Sequence, residues 1–287
     1  MSGLLSGLGK LGLKNLESMD VYEAAEEKAA MKEEKTKTAA PEFKEEDFLF
    51  DKTYECPVCY GKIKERTVKA GKIKLLRTDR DLRPVYDQVE PLKYEVIACP
   101  HCGYAALSRY FSGLAPSQIK AVRENISQSF TATQERKETY SYEEAVNRYK
   151  LSLANAIVKR GKSSEKAYIC LKAGWLLRSM QENMDESVEG YEEKQKQAKA
   201  QEREFLKNAL EGLLAARQSE SYPICGMDES TAEYLIAMLA MEFEQYDIAS
   251  RLISGILVSN VANNRMKDKA RDVKEILMAK IKEKNAN

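Results

Sequence analysis

The apolar residues of the C-terminal half recur at helical spacing. From Pro116 onward they return every three or four residues, which is the period of an amphipathic helix. The segment 167–180 is one such stripe, and the segment 273–281 ends the series. Ser141 and Ser230 are each followed three residues later by a glutamate, the spacing of a capping box at a helix start. The pattern therefore predicts consecutive helices from residue 116 to the end.

Two of the predicted helix starts resemble each other. Tyr142 precedes Ala145 by three residues, and Tyr246 precedes Ala249 by the same interval. This spacing occurs in tetratricopeptide repeats (TPR), where small residues allow paired helices to approach closely. The sequence thus predicts TPR-like helical hairpins, and an unrelated helical bundle is the alternative.

A different pattern precedes the helices. Residues 68–75 alternate charged and apolar side chains over part of their length, which predicts a half-buried strand. Residues 92–98 predict a second strand, and the charged segment 77–86 between them predicts a loop. The leucines of residues 1–20 are interrupted by glycines, and a run of Glu, Lys and Ala follows, which predicts a flexible arm and a linker.

Four cysteines in two Cys-Pro-x-Cys turns lie in this strand-rich part. They are Cys56, Cys59, Cys99 and Cys102. Each turn places two thiolates on one side of a tight loop, and two such turns together form the tetrahedron that zinc accepts. The spacer of residues 60–98 leaves room for a small sheet, as in a zinc ribbon. A structural zinc ion is predicted; a rubredoxin-like iron redox site and four unliganded thiols are the alternatives.

The residues that follow the two turns differ. Gly103 can adopt the positive φ that lets backbone N–H groups point at the sulfurs. Tyr60 stands at the equivalent place in the first turn, where a positive φ costs a tyrosine about 1 kcal/mol. We therefore expect the first turn to differ slightly in shape from the second.

These patterns together predict a mainly α protein with a small β zinc ribbon. The ribbon is expected to precede TPR-like α-helical hairpins. The predicted parts are a flexible leucine and glycine arm with a charged linker (1–47), a zinc ribbon (48–112) and a TPR-like helical domain (113–287).

Charge is balanced over the chain but not within it. The 46 basic residues and 45 acidic residues give a net charge of +1, which argues against a basic surface over the whole protein. Between Lys62 and Arg77, however, seven basic residues stand against one acid, Glu65. This stretch supports an alternative function, nucleic-acid binding by the ribbon, although no aromatic row for base stacking accompanies it.

A second charged cluster lies near the predicted metal site. It comprises Arg77, Asp79, Arg80, Asp81 and Arg83. Two interpretations are open: a salt-bridged loop that braces the ribbon, or a binding surface.

No catalytic set is visible in the sequence. His101 is the only histidine and lies between two predicted ligand cysteines, which removes Ser-His-Asp and Cys-His catalysis. Four thiolates leave no open metal position for water, and no glycine-rich phosphate loop is present. We therefore predict no enzyme, but a module that binds a protein or peptide in its helical groove.

The remaining cysteines and the apolar runs bear on the compartment. Cys170 is expected to be a core thiol, and Cys225 lies in a loop that could expose it. Cysteines with metal spacing favour a reducing compartment. No apolar run reaches the length of a membrane span, and the N-terminus lacks a secretory pattern. The expected location is the cytoplasm.

Four stretches also carry a resemblance to a known family: residues 54–59, the loop 81–86, residues 91–94 and residues 99–105. Through them the chain resembles the bacterial domain-of-unknown-function 2225 family over roughly residues 48–260. Tyr60, in place of a glycine, is the visible departure from the family pattern. The resemblance implies a zinc ribbon followed by TPR-like helices in a bacterial cytoplasm, and no known reaction.

Overall fold

The computed structural model describes residues 43–132 and 137–286. The predicted leucine arm, residues 1–20, lies outside the described residues. Six short strands in the described part pair as three antiparallel hairpins. They are β1 (Leu49–Glu55) with β2 (Lys62–Val68), β3 (Leu75–Thr78) with β4 (Pro84–Tyr86), and β5 (Val96–Ala98) with β6 (Ala105–Leu107).

Two strand predictions were wrong in their boundaries. The predicted strand over 68–75 does not form, because β2 ends at Val68 and the N–H of Lys72 donates to the carbonyl of Lys69 in a turn that contains Gly71. The predicted strand over 92–98 begins only at Val96. The residues before it form a 3-10 turn, and the N–H of Leu92 in this turn donates to the Glu90 carboxylate at 3.0 Å.

Seven α-helices follow in the part of the chain that the structure describes. They are α1 (Pro116–Val122), α2 (Tyr142–Val158), α3 (Ser163–Glu182), α4 (Tyr191–Ser219), α5 (Glu229–Glu242), α6 (Tyr246–Val258) and α7 (Asn264–Ala286). The prediction of a mainly helical protein, with small antiparallel strand pairs before the helices, is confirmed. None of the described helices is long and apolar enough to cross a membrane.

One of the two predicted capping boxes is present. The Ser141 hydroxyl accepts from the N–H of Glu144 at 3.2 Å, and the Glu144 carboxylate accepts from the N–H of Ser141 at 2.9 Å. The box predicted at Ser230 is wrong, because Asp228 caps the helix instead and accepts from the N–H of Thr231 at 2.8 Å. Ser230 thus lies inside the first turn of α5.

The largest apolar cluster joins the segment around the β5–β6 hairpin to the helices. Leu92, Val96, Ala105 and Leu107 are buried in the same cluster as the inward faces of the helices. The Tyr149 hydroxyl, from α2, also donates to the carbonyl of Leu92 at 3.0 Å. The predicted boundary between a ribbon and a helical domain at residues 112 and 113 stays a prediction.

Two residues of the charged cluster 77–83, Asp81 and Arg83, are buried and bind α3. Asp81 is buried and accepts from Trp175 Nε1 at 2.9 Å and from Arg178 at 2.7 Å, both on α3. Arg83, with 1% of its side chain exposed, donates to Asp79 at 2.7 Å and pairs with Glu182 at the end of α3. The predicted loop 77–86 is therefore the β3–β4 hairpin, and its charges brace this hairpin against a helix.

The α3–α4 pair depends on a close approach at one glycine. A Cβ atom on Gly174 would lie 2.6 Å from Cδ2 of Leu206, a side chain of α4 with no exposed surface. The absence of a side chain at Gly174 therefore lets Leu206 pack directly on the α3 backbone.

We predict that Gly174→Ala lowers the free energy of unfolding by roughly 1–3 kcal/mol, because overpacking outweighs the better helix propensity of alanine. Urea unfolding measures the effect. Gly71→Ala is the control, since a Cβ there meets nothing within 4 Å, and it should change stability by no more than about 0.5 kcal/mol. Equal stability of the two variants would contradict the packing argument.

Candidate metal centre

Both cysteine turns are hairpin loops of the same length. Cys56 to Gly61 connect β1 to β2, and Cys99 to Tyr104 connect β5 to β6. In the first loop Glu55 pairs with Lys62, and in the second the strand residues on either side pair in the same way. Each hairpin therefore presents its two cysteines at its tip, and the structure brings the two tips together.

The four predicted ligand residues form one cluster. The sulfurs of Cys56, Cys59, Cys99 and Cys102 all lie within 4.8 Å of one another. The Cys56–Cys102 sulfur distance is 3.6 Å, and the Cys59–Cys99 distance is 3.5 Å. In a tetrahedron of thiolates with metal–sulfur bonds of about 2.3 Å, neighbouring sulfurs are about 3.8 Å apart. The donor set therefore fits a tetrahedral metal ion.

The two loops have the same backbone hydrogen bonds. The N–H of Cys56 donates to Gly61 at 3.0 Å, and the N–H of Cys99 donates to Tyr104 at 2.8 Å. Tyr60 adopts a φ of 62°, close to the 72° of Gly103. The expected difference in shape is therefore absent: the tyrosine adopts the left-handed conformation that a glycine would adopt more easily.

Burial makes the cluster a closed site. Cys56, Cys99 and Cys102 are buried, and Cys59 is partly exposed. An apolar cluster that includes Val58, Ile97 and Phe111 surrounds the sulfurs. A set of four sulfur donors in such surroundings fills a tetrahedron and leaves no position for a reacting water, which is typical of structural metal sites.

The electrostatics of the four-sulfur cluster favour the binding of a cation. Hydrogen bonds with Cys56 and Cys99, together with burial, raise the pKa of the Cys102 thiol. Hydrogen bonds from Cys102 and Cys56 lower the pKa of the Cys99 thiol well below its usual value. Four adjacent negative charges would repel one another. A bound dication would remove this repulsion and release the remaining protons.

Each cysteine loop is held by one side chain from the helical region. Arg123, directly after α1, donates through Nε to the carbonyl of Val58 at 3.0 Å and lies over the ring of Tyr60. Asn155, a buried residue of α2, donates to the carbonyl of Gly103 at 3.0 Å. Such outer contacts orient the ligands. The sequence reasoning missed both residues; a polar Asn155 on an otherwise apolar helix face was the one available sign.

The comparisons with known proteins give one result. The profile of a family described as "Uncharacterized protein conserved in bacteria (DUF2225)" matches residues 49–277. The chain belongs to this family. No curated protein and no solved structure matches the chain. Membership in DUF2225 confirms the resemblance inferred from the sequence and adds no reaction to it.

The other candidate residues lie outside the four-sulfur cluster of this DUF2225 protein. His101 is exposed and is not part of the cluster, as its place between two ligand cysteines predicts. Cys170 is buried in the core, and burial raises the pKa of its thiol to about 12. Cys225, in the loop that could have exposed it, is buried, and its thiol donates to the carbonyl of Ser164 at 3.2 Å.

We predict that Cys99→Ser abolishes stoichiometric metal binding, because three thiolates cannot complete the tetrahedron. Loss of the metal should lower the melting temperature by roughly 10 °C. Elemental analysis and thermal unfolding measure the two effects. Cys170→Ser is the matched control: it removes an equally buried thiol outside the cluster and should keep the metal. Full metal content in Cys99→Ser would contradict the four-cysteine site.

A second prediction concerns Gly103, where φ is 72° and a Cβ atom would lie 2.6 Å from the ring of Phe130. Gly113 has a φ of 83° but nothing within 4 Å of a Cβ atom, so it isolates the backbone cost. Gly113→Ala should cost about 1 kcal/mol of unfolding free energy. Gly103→Ala should cost roughly 1–3 kcal/mol more, measured by urea unfolding of the metal-loaded protein. Equal losses would show that Phe130 does not restrict this loop.

Proposed function

We propose that the protein is a zinc-stabilised scaffold that binds another protein or a peptide through its helices, without catalytic activity. The observation that carries the proposal is the closed cluster of four cysteine sulfurs, held between two hairpins and braced from the helices. A metal there would fix the N-terminal hairpins against the helical region, and the helices would be left to present a surface.

Zinc is the proposed metal, in a structural role. Its d10 ion accepts four thiolates in a tetrahedron without preference for any further ligand. The sulfurs also face an apolar cluster, and the two loops are held by Arg123 and Asn155, as suits a site that maintains structure. Iron in the same four sulfurs would make a redox site and is the alternative. Zinc protein is colourless, whereas a ferric tetrathiolate absorbs visible light.

The helices from α5 to α7 support a repeat-like arrangement. α5 packs against α6, and α7 packs against both of them. In TPR-like repeats a helix contacts its own partner and the first helix of the next repeat, which is the same pattern. Val258 at the end of α6 and Val261 in the connection to α7 are 79% and 85% exposed, so a partner could bury apolar surface there.

The nucleic-acid alternative rests on fewer cations than the sequence count implied. Arg66 is paired with Asp51 at 3.2 Å and with Glu138 at 3.0 Å. Lys62 stands opposite Glu55 in the β1–β2 hairpin, whereas Lys64 is exposed on the same face opposite a threonine. Glu65, the one acid of the stretch, is buried. Lys64, Lys72 and Lys74 remain exposed and could still contact phosphate.

We also propose a cytoplasmic location. The six cysteines include no disulfide in the described residues, and four of them have the geometry of metal ligands. A reducing compartment would preserve these thiols.

We expect a tagged protein to capture a partner protein from bacterial lysate that remains after nuclease treatment. The partner should be lost with the double substitution V258D/V261D, which changes two exposed side chains. It should be retained with K62E/K64E, the matched control on the ribbon. Metal analysis of the same sample should show one zinc per chain.

The opposite pattern of partner capture would contradict the proposed scaffold function. A partner that is lost on nuclease treatment and with K62E/K64E, but retained with V258D/V261D, would indicate nucleic-acid binding. A coloured sample with one iron per chain would replace zinc by a redox centre.

A further inference from the structure

A cavity of about 390 Å³ lies between the β3–β4 hairpin and the helices α3, α5 and α7. Its volume is within the range of small-molecule pockets, about 300–1,000 Å³. None of the four cluster cysteines lines it. The cavity is therefore separate from the metal centre and has no role in the function proposed above.

One side of the cavity is apolar. Met238 and Met241 come from α5, and Val273 and Ile276 come from α7. Met241 and Val273 are buried, and the other two are partly exposed. Methionine side chains adapt to the shape of an apolar ligand. This side can therefore accept an aliphatic group of moderate size.

A second side is polar and already satisfied. Arg178 binds Asp81 at 2.7 Å and Glu202 at 2.7 Å, and Trp175 donates to the same oxygen of Asp81 at 2.9 Å. These groups are fixed by one another. They shape the wall and leave little bonding capacity for a ligand.

Glu242 is the carboxylate in the lining that this network binds least closely. Its nearest cation, Arg178, is 3.9 Å away, and within the described chain it has no hydrogen bond. Burial raises the pKa of Glu242 above its usual value, and the charge of Arg178 opposes this only in part. A carboxylate so placed would gain from a donor with a positive charge.

The same lining also contains two cations that this network does not bind. Arg80 lies between Asp79 and Asp81, which are both engaged with other arginines. Among the residues with described side chains, neither Arg80 nor Lys280 has an ion pair within 4.0 Å, although both line the cavity. The lining thus offers one anion with a single long ion pair and, among the described residues, two cations without an ion pair, beside an apolar surface.

We propose that this cavity binds a small zwitterion with an apolar side chain, an aliphatic α-amino acid. Its ammonium group would donate to Glu242, and its carboxylate would accept from Arg80 and Lys280. Its side chain would pack against Met238, Met241 and Ile276. A ligand with groups of both charges would bind Glu242 and both cations at once, whereas an anion or a cation alone would bind only one kind of side chain.

The test uses the full-length, metal-loaded protein and calorimetric titration with L-leucine. Leucine should bind saturably. N-acetyl-L-leucine, which lacks the ammonium, and L-leucinamide, which lacks the carboxylate, should each bind at least about tenfold more weakly, because each leaves a charged partner unpaired. Glycine, which lacks the side chain, should also bind more weakly. No saturable heat with leucine, or equal binding of N-acetyl-L-leucine, would overturn the proposal.

Two single variants locate the site. Glu242→Gln and Arg80→Gln should each weaken leucine binding at least about tenfold, since both remove a charge that pairs with the ligand. Glu283→Gln, an exposed acid of α7 outside the lining, is the matched control and should bind as the wild type does. Urea unfolding midpoints confirm that each variant is folded. Unchanged binding in Glu242→Gln would also overturn the proposal.

Discussion

The repulsion between four thiolates is the constraint on which the N-terminal half depends. The β1–β2 and β5–β6 hairpins share no strand pairing, because each forms a separate two-stranded sheet. Such hairpins are marginally stable in isolation. Their tips nevertheless bring four sulfurs within 4.8 Å, where ionised thiolates would push the tips apart. A cation changes the sign of this interaction, so that the same four groups hold the hairpins together.

The helices supply the other support, and they do so largely through buried polar contacts. Glu65, on the inner face of β2, accepts from the N–H of Ala98 at 3.0 Å, from Tyr140 at 2.9 Å and from Arg148 of α2 at 2.7 Å. One carboxylate thereby joins two hairpins and a helix. Buried charges are costly to desolvate, so this contact favours one arrangement of the hairpins more than it adds stability.

The sequence predicted the structural features that are determined by neighbouring residues in the chain. The spacing of the cysteines predicted that the four sulfurs lie together, and the apolar period predicted the helices; the predicted difference in shape between the two turns is absent. Errors arose where a tertiary or competing contact decides. Asp228 displaced Ser230 as the cap because it stands one place before the first residue of α5, Glu229. Cys225 is buried because its thiol reaches Ser164, and Arg123 reaches Val58 across 65 positions of sequence. No pattern in a single chain reports such long-range pairs.

The structure distinguishes between two interpretations of the charged cluster, bracing and binding, that the sequence alone does not separate. Sequence placed Arg77, Asp79, Arg80, Asp81 and Arg83 together and left bracing and binding both open. Four of the five are engaged in ion pairs: Arg77, Asp81 and Arg83 pair with α3, and Asp79 pairs with Arg77 and Arg83 within the hairpin. Bracing therefore accounts for most of the cluster. Arg80 has no such pair in the described residues and lies at the edge of a cavity. The ion pairs of its neighbours fix the backbone on both sides of it and so keep this cation at the cavity. The same ion pairs that brace the hairpin thus also fix the loop position that the proposed ligand binding would require.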